Sequence, residues 1–248
     1  MIKPLVLVTR PQPEADATAT RVAALGYRTL IEPLIEIVPR PGPPLELGHI
    51  QAVLVTSGNG ARALAAHTPV RDQWLFSVGD ATAKALRELG FLRVESARGS
   101  ATELAELVQR RCDPGQGPLL HVRGDVVASD PSVSLSEAGF SVRTAVLYET
   151  RTPSAFSPSL ERTMRHNDLA YVLFFSARTA RTFVRLALAA GVASACERTE
   201  AFCLSVAVAT AAAGVPWRTV RVAVRPDHEA LLNLLPKPQC RAEFRDDE

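Results

Sequence analysis

Along the chain, short apolar runs repeatedly give way to a small polar turn and then to an alanine-rich stretch whose apolar positions recur with helical period. "LVLVTRPQPEADATATRVAALG" is the first case. "AVLVTSGNGARALAAH", "WLFSVGDATAKALRELG" and "LLHVRGDVVASDPSVSLSEAG" follow, then "AYVLFFSARTARTFVRLALAAG" and "AFCLSVAVATAAAG". Each reads as a strand followed by a helix, and Gly26, Gly90, Gly139, Gly191 and Gly214 sit where a left-handed residue would close the helix. "YRTLIEPLIEI", "LRVES", "SVRTAVLYE" and "RTVRVAV" supply strands between the units. Strands alternating with helices predict an α/β fold of mainly parallel sheets covered on both faces.

Proline divides the pattern. "PRPGPP" at 39–44 and "TPSAFSP" at 152–158 are the densest turn-forming stretches. The first 38 residues hold one predicted helix and two predicted strands, too little to fold alone. They are expected to complete the strands that follow the second proline stretch. The expected organisation is a discontinuous first lobe (1–38 with 155–248) and a second lobe (42–148), with crossings near 36–42 and 147–154. Tyr148 falls on one of those crossings.

Composition narrows the function classes. No apolar window reaches the length of a membrane span, and the apolar run in "MIKPLVLVTRP" is too short for a signal peptide. A cytoplasmic protein without a membrane partner is therefore expected. Cys112, Cys196, Cys203 and Cys240 form no paired motif, and the histidines show no ligand spacing, so no metal is expected. Cys203 reads as a small core residue and His121, mid-strand, as a core histidine. Basic and acidic residues nearly balance, 28 against 26, and no basic block with interleaved aromatics points to nucleic acid. Lys3, Lys84 and Lys237 are the only lysines; the arginine bias suits bidentate carboxylate binding, although GC-rich codon usage alone is the simpler reading.

Ligands of parallel α/β sheets bind beyond the carboxyl ends of the strands. Those ends carry Arg10 beside Thr9; Thr56, Ser57 and Gly58; Gly79 and Asp80, with Thr82 just beyond; Arg123 and Gly124; Ser176 and Ala177; and Ser205. Hydroxyls and free N–H groups at helix starts cap the helix or hold an anion, and both readings stand for any single turn. Six such turns over two lobes favour a ligand with many carboxylates. There is no GxGxxG after the first strand and no GxxxxGK[ST], so no nucleotide cofactor is expected. Ser57 lacks an assignable histidine base. Tyr148 is either a packed tyrosine or a proton donor, and Glu149 points to the other side of the strand.

"VLVTRPQPEADATATRVAALGY", "VLVTSGNGARAL", "FSVGDATAKAL", "HVRGD", "VLYET" and "FFSARTARTF", in this order, resemble the uroporphyrinogen-III synthase family, as does the tail "VRVAVRPDHEALLNLL". The resemblance implies two doubly wound lobes joined by a two-stranded ladder with a cleft between them. It implies a cofactor-free monomer that closes linear hydroxymethylbilane to uroporphyrinogen III, with loss of water and inversion of ring D through a spiro intermediate. In that scheme Tyr148 assists departure of the ring-A hydroxyl, Thr82 matches a cleft threonine, and Ser57 and Ser176 lie near substrate carboxylates. Two departures stand out: "SVAVA" puts Val206 and Ala207 where relatives often have polar groups, and "GDVVASD" lacks an arginine many relatives carry. The alternative from a different class is a non-catalytic bilobal binding or sensor protein for an anionic small molecule.

Overall fold

The computed structural model describes residues 3–126 and 130–236. Lys237 and Cys240, weighed above, lie outside the described residues, as do residues 127–129 of "GDVVASD". The chain begins with β1 (Leu5–Val8), α1 (Glu14–Ala24), β2 (Arg28–Ile31) and β3 (Glu36–Pro39). It continues through β4 (Ala52–Val55), α2 (Gly58–His67), β5 (Trp74–Ser77), α3 (Asp80–Glu88), β6 (Arg93–Ser96) and α4 (Ala101–Arg111). Next come β7 (Leu119–Gly124), α5 (Ser132–Glu137), β8 (Val142–Arg151), α6 (Pro158–Arg165), β9 (Leu169–Phe174) and α7 (Ala177–Ala189). The last elements are β10 (Glu200–Cys203), α8 (Val206–Ala212), β11 (Thr219–Val222) and α9 (His228–Leu232). Two compact units result, one within Met1–Glu36 and Arg151–Glu248, the other within Ile37–Thr150.

The discontinuous unit is built on a five-stranded sheet ordered β11-β10-β9-β1-β2, with parallel pairing throughout. Alternation along the strands sends side chains to two separate cores. Leu5, Leu7, Val172 and Phe174 pack on one face with Phe183 and Leu186 of α7. Val6, Leu173 and Phe202 pack on the other with Val22 of α1 and Leu231 of α9. A sheet apolar on both faces must be covered on both, which is what the near-continuous apolar runs of β1 and β9 foretell.

The other unit holds a six-stranded sheet, β3-β8-β7-β4-β5-β6, with parallel pairs from β8 to β6. Val53, Val55, Leu75 and Val122 share one core with Leu64 of α2 and Leu86 of α3. Leu54, Phe76 and Leu119 share the other with Leu104 and Val108 of α4 and Leu135 of α5. The first 38 residues thus feed three strands rather than two. The third, β3, pairs with β8 at the sheet edge, where Pro39 at its end can lack an N–H without breaking a ladder.

Four of the five expected cap glycines are left-handed: Gly26, Gly90, Gly139 and Gly191 have φ between 64° and 95°. Gly214 is a correction. Helix α8 ends through Ala213 with φ −68°, and Gly214 is not left-handed. A Cβ there would lie 2.5 Å from Cγ1 of Val184, so this glycine exists for close approach of two chain segments. Cys203 is fully buried in the β10 core, and burial pushes its thiol up to about 12.

Because its strands and two cores are internally complete, residues 37–150 expressed alone should unfold in one cooperative urea transition. Far-ultraviolet circular dichroism and the fluorescence of Trp74, the only tryptophan in that segment, should give coincident midpoints. A gradual, non-cooperative loss of signal would show that the unit depends on the rest of the chain.

Candidate functional site

Each sheet has one place where the direction of winding reverses, and there the helices of adjacent strands leave a crevice. In the 37–150 unit the reversal lies between β4 and β7, and in the other between β1 and β9. The residues that follow β4 and β7 are Thr56, Ser57, Gly58 and Asp125.

Ser57 has extended backbone (φ −155°, ψ 158°) and caps α2, its Oγ accepting from the Gly60 N–H at 3.0 Å. The same Oγ lies 3.1 Å from the hydroxyl of Tyr148. Tyr148 reaches it from β8, two strands away from β4, because β7 between them ends in a glycine. A Cβ on Gly124 would stand 2.4 Å from Cε2 of the tyrosine ring. The ladder shifts register at this point, with Arg123 opposite Val146 but Gly124 opposite Tyr148. Asp125 then fixes the end of β8: its N–H donates to the Tyr148 carbonyl at 3.1 Å and its Oδ1 accepts from the Thr150 N–H at 2.9 Å. The ring of Tyr148 is buried, 7% exposed. Glu149, the next residue, accepts from Arg40 Nε at 3.1 Å.

Arg123 is half-buried and its Nη1 donates to the Gly124 carbonyl at 3.2 Å. Its Nε is buried without a hydrogen-bond partner among the described residues, a donor held in place with nothing to donate to. His121, two residues earlier, is fully buried, with Nδ1 3.3 Å from Asp130 Oδ1. Burial is the main cause that lowers its proton affinity; Asp130 opposes this and Arg123 adds to it. It is a core residue of β7. Thr82 is buried in the first turn of α3 and its side chain makes no hydrogen bond among the described residues, so no bond joins it to the Ser57–Tyr148 pair.

At the other reversal, Thr9 Oγ1 donates to the Leu173 carbonyl at 2.7 Å and ties the end of β1 to β9. The guanidinium of Arg10 stacks on Phe175, 4.4 Å from the ring centroid. Ser176 caps α7, accepting from the Thr179 N–H at 3.1 Å, and Ala177 is the first residue of that helix. Ser205 stands at the start of α8, but its side chain makes no cap bond.

The helices that begin at β4, β9 and β10 share one electrostatic trait. α2, α7 and α8, like the short α5 that follows β7, have no acidic residue in the first turn, whereas α1, α3, α4, α6 and α9 do. The partial positive charge of those N-termini is left for something else to neutralise.

Comparison with known proteins gives this arrangement its setting. The family model described as uroporphyrinogen-III synthase HemD matches residues 16–233. The chain belongs to the uroporphyrinogen-III synthase family. A relative, the porphyrin biosynthesis protein HemD of Ruminiclostridium josui, is 27% identical over 210 residues, covering 74% of this chain and 40% of the relative. The chain thus spans less than half the length of that protein. The crystal structure of uroporphyrinogen-III synthetase from Helicobacter pylori 26695 has the same fold: TM-score 0.63, 20% identity, 94% of this chain and 98% of that one. A mutant uroporphyrinogen III synthase from the extremely thermophilic bacterium Thermus thermophilus matches with TM-score 0.50 at 17% identity, over 94% and 96% of the two chains. Among the described residues, no helix is long and apolar enough to cross a membrane.

Within this uroporphyrinogen-III synthase fold, the structure brings Ser57, Gly124 and Tyr148 into one group and sets Arg10 close to the α7 start at Ser176. Sequence reasoning missed Asp125, Phe175 and His228. Asp125 was signalled by its place directly after the strand-ending glycine, a position that favours side-chain-to-backbone bonds. Phe175 stood at the end of an expected strand and His228 within the tail stretch, and neither residue type there carried a local signal.

Replacing Gly124 with alanine should drive the Tyr148 ring off its seat, since a Cβ at that distance leaves the ring no room where it stands. The expected cost is about 1–3 kcal/mol in urea denaturation, the scale of overpacking. Unchanged stability would mean that the ring has room to move.

Proposed function

We propose that this chain converts hydroxymethylbilane to uroporphyrinogen III, with Tyr148 as the proton donor to the departing hydroxyl. One observation carries the reading: in a chain of this family, the Tyr148 hydroxyl stands 3.1 Å from Ser57 Oγ at the winding reversal of a parallel sheet. Family membership across residues 16–233 supplies the substrate class.

The chemistry asks for little acid–base power. The electron-rich pyrrole pushes out the hydroxyl once a proton reaches its oxygen. The carbon–oxygen bond breaks, water leaves, and a resonance-stabilised cation remains on the bilane. Ring D then attacks this cation through its substituted carbon, passes through the spiro intermediate and recloses inverted. A phenol is a modest donor, and a modest donor suffices. Ser57 holds that phenol through one hydrogen bond; with the serine hydroxyl as donor the phenol proton stays available, and because its oxygen accepts from Gly60, the serine is positioned by the helix it caps. Ring seating on Gly124 fixes the remaining freedom.

Holding a flexible substrate in one conformation is the larger part of the task. We assign the substrate carboxylates to Arg10, Arg123 and the N-termini at Thr56, Ser57 and Gly58, at Ser176 and Ala177, and at Ser205, with Thr82 and Gly124 shaping the site. The acid-free first turns of α2, α7 and α8 and the unpartnered Nε of Arg123 support this. Backbone donors are prominent in this set, in keeping with Val206 and Ala207 after Ser205. The chain is proposed to act without cofactor as a cytoplasmic monomer.

Incubation with freshly prepared hydroxymethylbilane, followed by separation of the porphyrin isomers, tests the activity: the type III isomer should predominate, and only the spontaneous type I isomer would overturn it. Tyr148→Phe should keep the fold and lower turnover about 10- to 1000-fold, while Glu149→Gln changes it far less. Full activity in the phenylalanine variant would remove Tyr148 from the mechanism. Ser57→Ala and Ser176→Ala should each cost about 1–2 kcal/mol of stability through the lost cap, measurable by thermal or urea unfolding.

A further inference from the structure

The turn after β1 meets the start of the last helix, far apart in sequence, and the contact is made of aromatic and basic groups. Arg10 stacks on the face of Phe175, and Phe175 meets His228, the first residue of α9, in a T-shaped contact with ring centroids 5.3 Å apart. Arg21 of α1 lies with Nη1 3.1 Å from His228 Nδ1. A guanidinium has donors only, so Nδ1 carries the lone pair and the ring proton sits on Nε2. That assignment is consistent on the other side. Nε2 lies 3.4 Å from Thr18 Oγ1, whose own proton goes to the Glu14 carbonyl, leaving the hydroxyl oxygen free to accept. In this arrangement the imidazole is neutral.

The charges around it do not close. Arg21 is paired with Glu229, and Asp227 with Arg225 at 3.1 Å. Arg10, half-buried against the ring, has no hydrogen bond or ion pair with any described residue, and Glu14 acts on it only through space. Burial is the first cause that lowers the proton affinity of His228, followed by the charges of Arg10 and Arg21; Glu229 and Asp227 act the other way. A half-buried guanidinium stacked on a ring, making no hydrogen bond or ion pair among the described residues, at the winding reversal of a parallel sheet, is suited to a carboxylate.

We propose that Arg10, Phe175 and His228 form a proton-linked carboxylate subsite, in which an anion bound at Arg10 draws a proton onto His228 Nδ1. The identity of the ligand, a carboxylate arm of the substrate, rests on the reading given under Proposed function; the linkage itself rests on the geometry. An anion at Arg10 offsets the larger of the two positive charges that, after burial, hold the imidazole neutral. The incoming proton ends the acceptor role of Nδ1, and Arg21 falls back on Glu229, a partner it already holds. By reciprocity, carboxylates bind more tightly at this subsite as the pH falls through the His228 titration.

The test is a pH titration of the imidazole resonances by NMR, in chloride and in tricarballylate at matched ionic strength, with His49, His67 and His166 as internal controls. Tricarballylate should raise the His228 midpoint by about half a unit or more and leave the controls in place. In Arg10→Gln the rise should vanish while the control resonances report an intact fold. An unmoved midpoint in tricarballylate, or an equal rise in the Arg10 variant, would overturn the subsite. Isomer analysis of hydroxymethylbilane turnover stands apart from this result: type III product without the shift removes the subsite alone, and an Arg10-dependent shift without turnover keeps the subsite and removes the catalytic reading.

Discussion

Parallel strands cannot be joined by a tight turn, and that constraint generates the rest of this structure. Each strand must send the chain back across the sheet, and here most of those crossovers carry a helix. Every such strand therefore opens at its carboxyl end onto a loop or a helix N-terminus with unsatisfied N–H groups. Where the winding reverses, two adjacent strands send their connections to opposite faces, and the space between is not filled by either. In one unit that place lies between β4 and β7, and in the other between β1 and β9. The positions of Ser57, Arg123, Arg10 and Ser176 follow from the winding before any chemistry is considered.

What the chain adds is selective omission. Gly124 lacks the side chain that would exclude the Tyr148 ring, so a residue of β8 reaches across β7 to the serine that follows β4. The helices starting at β4, β9 and β10 lack the acid that would satisfy their N-termini. Arg123 and Arg10 are held in place without an acceptor for part or all of the guanidinium. Each omission costs stability, because an unmet donor or charge has lost water without gaining a partner. Most of them lie at the two reversals, and the proposed polycarboxylate substrate would relieve them.

The α/β alternation was legible in the sequence because it depends on local periodicity, and the family was legible because its motifs keep their order. Gly214 shows where local reading ends. It occupied a helix end like the other four glycines, yet its reason is Val184, thirty residues earlier on α7. The separation of β3 from β2 was likewise hidden: "YRTLIEPLIEI" reads as one strand stretch, and its end becomes a separate strand only by having β8 as a neighbour. Thr82 and Ser57 looked alike as hydroxyls near a helix start; burial without a hydrogen bond separates the first from the second.

The sequence by itself determined most of the elements, the parallel winding and the list of polar residues at strand ends, since these follow from periods of two and 3.6 residues and from the chemistry of turns. Only the tertiary structure decided which of those residues meet. Tyr148 joins Ser57 across 91 positions, and His228 joins Thr18 and Arg21 across more than 200. Such meetings are set by strand order and register, which arise from the packing of both sheet faces at once and leave no mark on any single stretch of chain.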